Sequence, residues 1–136
     1  DTPLTAPFLE NLMTNQLSFL LAGLLVLTGC SSTAYSKHLS KAYNAYDDGD
    51  CAEVISQLSQ TERLSRSRPY LQPEISLLRG QCLEREGLYL DAAQTYRYLL
   101  DHYPHNEYAY RAGARLETLH QLGHYDPANP LPPQAN

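Results

Sequence analysis

The chain has 136 residues, with 10 basic against 15 acidic side chains and a net charge of -5. This balance argues against a broad polyanion-binding surface and so against nucleic acid as a partner. A length of this order supports one small core. Both phenylalanines, Phe8 and Phe19, precede Cys30, whereas all 11 tyrosines follow it. Tyrosine packs its ring and keeps its hydroxyl in water, which suits thin helical layers better than a deep core.

Residues 1–12 carry no helical or strand period, and Met13 reads as a candidate initiator, which makes them an over-extended start or a cloning remnant. From Leu17 to Leu27 runs an apolar stretch about half the length a membrane-spanning helix needs, the size of a signal-peptide core. It leads into Leu27-Thr28-Gly29-Cys30. That tetrapeptide resembles the bacterial lipobox, a branched apolar residue and two small ones before a cysteine. The resemblance implies a signal peptide over 1–29, cleavage before Cys30, and acylation of its thiol and amino group, palmitate included. Several chains on one residue bind a bilayer far more firmly than one, since each buried methylene adds about 0.8 kcal/mol. Ser31 and Ser32 in place of an aspartate imply sorting to the outer membrane. The same stretch also reads as a buried apolar helix that ends at a chance Gly-Cys.

Residues 30–35 read as a short lipidated tether. Beyond it, Leu39, Ala42, Tyr43 and Tyr46 recur at three- and four-residue steps, giving an amphipathic helix that ends at Asp47-Asp48-Gly49-Asp50. Asp50 is the candidate N-cap of a second helix whose apolar face is Cys51, Val54, Ile55 and Leu58. Arg63, Arg66 and Arg68, interspersed with serines, read as a solvated linker up to Gln72. Pro73 suits the first turn of a third helix bearing Ile75, Leu78 and Cys82, with Leu77 and Leu83 flanking. A turn at Gly87 separates it from a fourth helix with Ala92, Ala93, Tyr96, Leu99, Leu100 and Tyr103 on one face, stopped by Pro104. A fifth helix begins near Glu107 and carries Ala109, Ala112, Gly113, Leu116 and Leu119. After Gly123 the prolines at 127, 130, 132 and 133 prevent a sixth. Residues 124–136 read as a Pro-rich disordered tail, or as a segment folded back over the fifth helix.

The run Gly80, Gly87, Tyr89, Ala92, Tyr96 and Pro104 resembles a tetratricopeptide repeat: a small residue in the first helix, a Gly-x-Tyr-x-x-Ala turn, an aromatic in the second helix and a closing proline. Ser76 and Leu83 replace the repeat's early aromatic and tyrosine. Gly49-x-Cys51-x-x-Val54 and Gly123-x-Tyr125-x-x-Ala128 are further copies of the turn, spaced 38 and 36 residues along the chain. The resemblance implies an all-α fold, a short stack of antiparallel helical hairpins with about five helices over residues 36–123. In such a stack the second helix of one repeat packs on the first of the next, which would bring Cys51 near Cys82. The lipobox claims Cys30, so the remaining pair is expected as a disulfide in an oxidising compartment, with two buried free thiols as the alternative. The concave groove of these repeats binds peptides, and Tyr46, Tyr110 and Arg111 are its candidate contacts here.

Histidines at 102, 105, 120 and 124 read as solvated surface groups rather than metal ligands, because Gly123 interrupts the second pair and no carboxylate or cysteine accompanies either. No phosphate-binding glycine loop, nucleophile-base-acid signature or CxxC is present. The expectation is therefore a non-enzymatic, cofactor-free outer-membrane lipoprotein facing the periplasm, a scaffold or assembly factor that binds a cell-envelope protein or peptide. A pilotin-like role in secretin assembly and regulation of a cell-wall enzyme are the alternatives. Residues 93–122 also look like repeats of the lipoprotein in the β-barrel assembly machine and of the periplasmic coordinator of peptidoglycan synthesis.

Overall fold

The computed structural model describes residues 30–129, with side chains from Ala34 onward. The expected signal segment, the side chain of Cys30 and the tail beyond Asn129 lie outside the described residues. Five α-helices follow in order: α1 (Cys30–Asp47), α2 (Cys51–Leu64), α3 (Gln72–Arg85), α4 (Tyr89–His102) and α5 (Glu107–Gln121), with one 3-10 turn (Pro69–Leu71) before α3. Among the described residues there is no strand, and the helices pack as a stack of antiparallel neighbours, the all-α architecture expected from the sequence.

Three turns share one backbone solution. Gly49, Gly87 and Gly123 have φ of 79°, 75° and 78°, a region open to glycine at no steric cost. In each, the glycine N–H donates to the carbonyl three residues back, Tyr46, Glu84 or His120. The next N–H reaches five back, from Asp50 to Ala45 at 2.9 Å, Leu88 to Leu83 at 2.9 Å and His124 to Leu119 at 2.8 Å. This is the Schellman closure, which satisfies the last carbonyls of a helix. Asp50 then caps α2, its carboxylate accepting the Glu53 N–H at 3.0 Å, and Pro73 sits in the first turn of α3.

The apolar faces assemble into two clusters that share α3. One joins Ala42, Ala45, Val54, Leu58 and Leu71 with Ile75, Leu78 and Cys82; the other joins Leu77 with Ala92, Ala93, Tyr96, Leu99, Ala109, Ala112, Leu116 and Leu119. Helix α3 is thus buried on both sides, which is why its apolar residues fail to form a single stripe. Gly80 allows the closest approach: a Cβ there would stand 2.5 Å from Cε1 of Tyr96. Cys51 and Cys82 are joined in a disulfide, with their Cα atoms 5.4 Å apart. Glu62 of α2 receives both ends of the Arg79 guanidinium from α3 at 2.9 and 3.0 Å, and Gln72 at 3.0 Å.

Two stretches depart from the sequence reading. Residues 30–35, expected as a tether, are the first turns of α1, since nothing from Ser31 to Tyr35 breaks a helix. Residues 124–129, assigned to a disordered tail, form a turn. Tyr125 packs against the second cluster, while the Asp126 carboxylate accepts the Ala128 N–H and the Asn129 amide, each at 2.9 Å.

Gly80→Ala is expected to lower stability by about 1–3 kcal/mol through overpacking on Tyr96, and Gly87→Ala by about 1 kcal/mol through backbone strain alone, its Cβ position being open. Urea titration of both variants checks the order. Reduction of the 51–82 bridge, which spans 31 residues, should cost about 3–4 kcal/mol on the loop-entropy scale. The oxidised protein should also gain the mass of two hydrogens on reduction, and unchanged mass or an unmoved melting curve would contradict the bridge.

Burial alone would raise the Glu62 carboxyl, but the hydrogen bonds from Arg79 and Gln72 and the Arg79 charge outweigh it and leave the group below the usual carboxylate range. Its stabilisation is present above the unfolded value of about 4.3 and is lost as pH falls through the depressed folded value. Acid titration of stability should therefore be shallower for Glu62→Gln than for the wild type, and equal slopes would refute the assignment.

Candidate functional site

Antiparallel stacking sets the three odd helices in parallel, and their polar stripes form one continuous face. Tyr43 of α1 donates its hydroxyl to Glu74 of α3 at 2.7 Å. Burial, then the Glu74 hydrogen bond and charge, push the Tyr43 phenol above its usual range; the Tyr108 hydroxyl adds to this and the Arg111 charge opposes it. Tyr108 is raised likewise by burial and by Glu74 and Glu107, and the Arg111 guanidinium lies 5.8 Å from its ring. One end of the face therefore carries Tyr43, Glu74, Tyr108 and Arg111, two aromatic hydroxyls with one charge of each sign.

Toward the glycine turns the face deepens into a cleft of about 390 Å³ lined by Tyr46, Gln81, Glu84, Arg85, Tyr89, Arg115, Leu119 and Leu122. The guanidinium of Arg85 stacks 3.9 Å above the Tyr46 ring and donates to the Tyr46 carbonyl. At the floor, Glu84 accepts the Tyr96 hydroxyl at 2.9 Å and the Arg115 Nε at 3.1 Å, with a second Arg115 nitrogen on its other oxygen. Burial and then Glu84 push the Tyr96 phenol upward. At the rim, Tyr89 stacks on His124 with ring centroids 3.7 Å apart, and Leu122 is 64% exposed.

Of the expected groove residues, Tyr46 lines the cleft and Arg111 lies on the same face, joined to it through Tyr108. Tyr110 does not join them. At 82% exposure it projects from the outer side of α5, because one residue rotates a helical side chain by about 100°. Sequence reasoning missed Glu74, Gln81 and Arg85 on α3 and Arg115 on α5. A second stripe at helical spacing, Glu74-Gln81-Arg85 and Tyr108-Arg111-Arg115, was the signal for them.

Histidines behave as single groups: His102 stacks on Tyr98 at 4.2 Å, and His120 lies 3.9 Å from Glu117 on an exposed surface. Among the described residues no group of three or more His, Cys, Asp or Glu converges, and no helix is long and apolar enough to cross a membrane. The cleft offers ring faces, guanidinium groups and one carboxylate. Comparison with protein-family models, curated proteins and solved structures finds no match to this chain.

Removing the Glu84 carboxylate leaves the Arg115 charge and the Tyr96 hydroxyl without their partner. Glu84→Gln should cost about 1–2 kcal/mol, tempered by the exposure of Arg115. A double-mutant cycle with Arg115→Gln should show coupling between the two positions, and strict additivity would show that the pair contributes nothing.

Proposed function

We propose that the chain is a small lipoprotein, anchored through Cys30 in the outer membrane and facing the periplasm, whose tetratricopeptide-like stack is a scaffold for another cell-envelope protein. The observation that carries this reading is the polar-aromatic face of α1, α3 and α5, which ends in the cleft around Tyr46, Arg85 and Arg115. Repeated hairpins generate such a face whenever odd helices line one side. The groove takes an extended segment, with Arg85, Arg111 and Arg115 contacting acidic groups or backbone carbonyls and Tyr43, Tyr46 and Tyr108 its apolar side chains. The 51–82 disulfide accords with an oxidising compartment. Recurrence of one turn geometry at Gly49, Gly87 and Gly123 supports the repeat reading.

Two measurements separate the halves of the proposal. Metabolic labelling with a palmitate analogue should mark the wild type and not Cys30→Ser; equal labelling removes the anchor. Crosslinking in intact cells should recover a partner with the wild type. That yield should fall about tenfold in Tyr46→Ala with Arg111→Ala, if each contact is worth about 0.7 kcal/mol, whereas Tyr110→Ala should leave it unchanged. Retention by the double variant with an unaltered melting curve removes the groove.

A further inference from the structure

The stack has two chemically different ends. The end with the glycine turns exposes Asp47, Asp48, Asp50, Glu86, Asp91 and Asp126, with Arg85 the one exposed arginine beside them among the described residues. The opposite end is formed by the start of α1, residues 65–71 and the connection after α4. There the loop read from sequence as a solvated linker is a built surface. Ser65 is buried and Leu71 is in the core, the Arg68 N–H donates to the Ser65 carbonyl at 2.7 Å and the Leu71 N–H to Arg68 at 3.1 Å. This frame holds Arg63, Arg66 and Arg68 around a cleft of about 570 Å³ backed by Tyr98 and Tyr103. Beside them Tyr70 is 66% and Leu64 39% exposed.

The nearby carboxylates offset only part of this charge. Glu62 is taken by Arg79, and Asp101 lies 4.0 Å from Arg97. Glu74 in the first turn of α3, which accepts the Tyr43 hydroxyl, and Glu107, exposed in the first turn of α5, are the two opposing charges that remain among the described residues. Three guanidinium groups flanked by a tyrosine and a leucine match the boundary of a bilayer, where arginines meet phosphates and amphipathic rings sit at headgroup level. Position favours a membrane over a soluble acidic partner. The Arg68 guanidinium lies 5.1 Å from the Tyr35 ring. Tyr35 is five residues from Cys30, so chain length limits their separation to roughly 17 Å.

We propose that the end bearing Arg63, Arg66 and Arg68, with Leu64 and Tyr70, is a contact surface for anionic phospholipid headgroups that holds the domain against the bilayer. The setting rests on the reading of Cys30 as the anchor, but the charge match does not. With this end seated, the acidic end points away from the membrane and the face of α1, α3 and α5 stands across it, open to a partner from the side.

The test uses the full chain carrying Cys30→Ser, so that no acylation contributes, and vesicles of phosphatidylcholine alone or mixed with phosphatidylglycerol. The apolar leader segment partitions into both, so the difference between them reads the arginines. Binding should be stronger to the anionic vesicles, weaken with added salt, and fall about a hundredfold when all three arginines become glutamine, at about fivefold per arginine. The corresponding triple lysine variant should retain it. Equal binding to both vesicles, or anion-selective binding that survives the glutamine substitutions while circular dichroism is unchanged, overturns the proposal. So does tight binding of a polyglutamate peptide without vesicle selectivity, which would make the cleft a peptide site. Loss of palmitate labelling at Cys30 with vesicle selectivity intact would remove the anchor and leave this surface standing.

Discussion

The contact of Gly80 with the Tyr96 ring is the constraint on which the rest of the stack depends. A side chain at position 80 would occupy the ring's place, so glycine sets the separation of α3 and α4. With the ring seated there, its hydroxyl meets Glu84, and Glu84 in turn fixes Arg115 of α5. One missing methyl group thereby sets the register of three helices. Because α3 is also walled by α1 and α2, any shift in it reaches both core clusters.

Local signals were the legible ones. Gly49, Gly87 and Gly123 announced their turns because Schellman closure requires a residue at positive φ, and Asp50 and Pro73 marked helix starts for equally local reasons. Cys51 and Cys82 emerged only through the repeat resemblance, because their proximity depends on how one hairpin seats on the next. Polar residues whose partners lie on other helices, such as Glu84 with Arg115 across 31 positions, left no trace beyond a faint spacing. The arginines at 63, 66 and 68 read as linker because serines and a proline surround them, and nothing local reports that Ser65 and Leu71 turn inward. Tyr110 was misplaced beside Arg111 because adjacent helical residues share a sequence neighbourhood but not a direction.

Charge is sorted along the helix axes more than between the flanks. Exposed aspartates collect at the glycine turns and the arginines at 63, 66 and 68 at the other end, while the face between them holds one ion pair, Glu84 with Arg115, and arginines set over tyrosine rings. Such a distribution gives the molecule an electrostatic axis despite a net charge of only -5.

The bridge between Cys51 and Cys82 ties the start of α2 to the end of α3, so it encloses a whole helix, the arginine loop and most of the next helix. Under tension between the beginning of the chain and its last helices, load passes from α1 through the sulfur pair directly into α4. The 31-residue segment behind the bond, roughly 110 Å of extended chain, stays out of the force path. A protein pulled between a fixed point and a moving partner would then yield in α1, α4 or α5, keeping α2 and most of α3 wound until the bond itself is reduced.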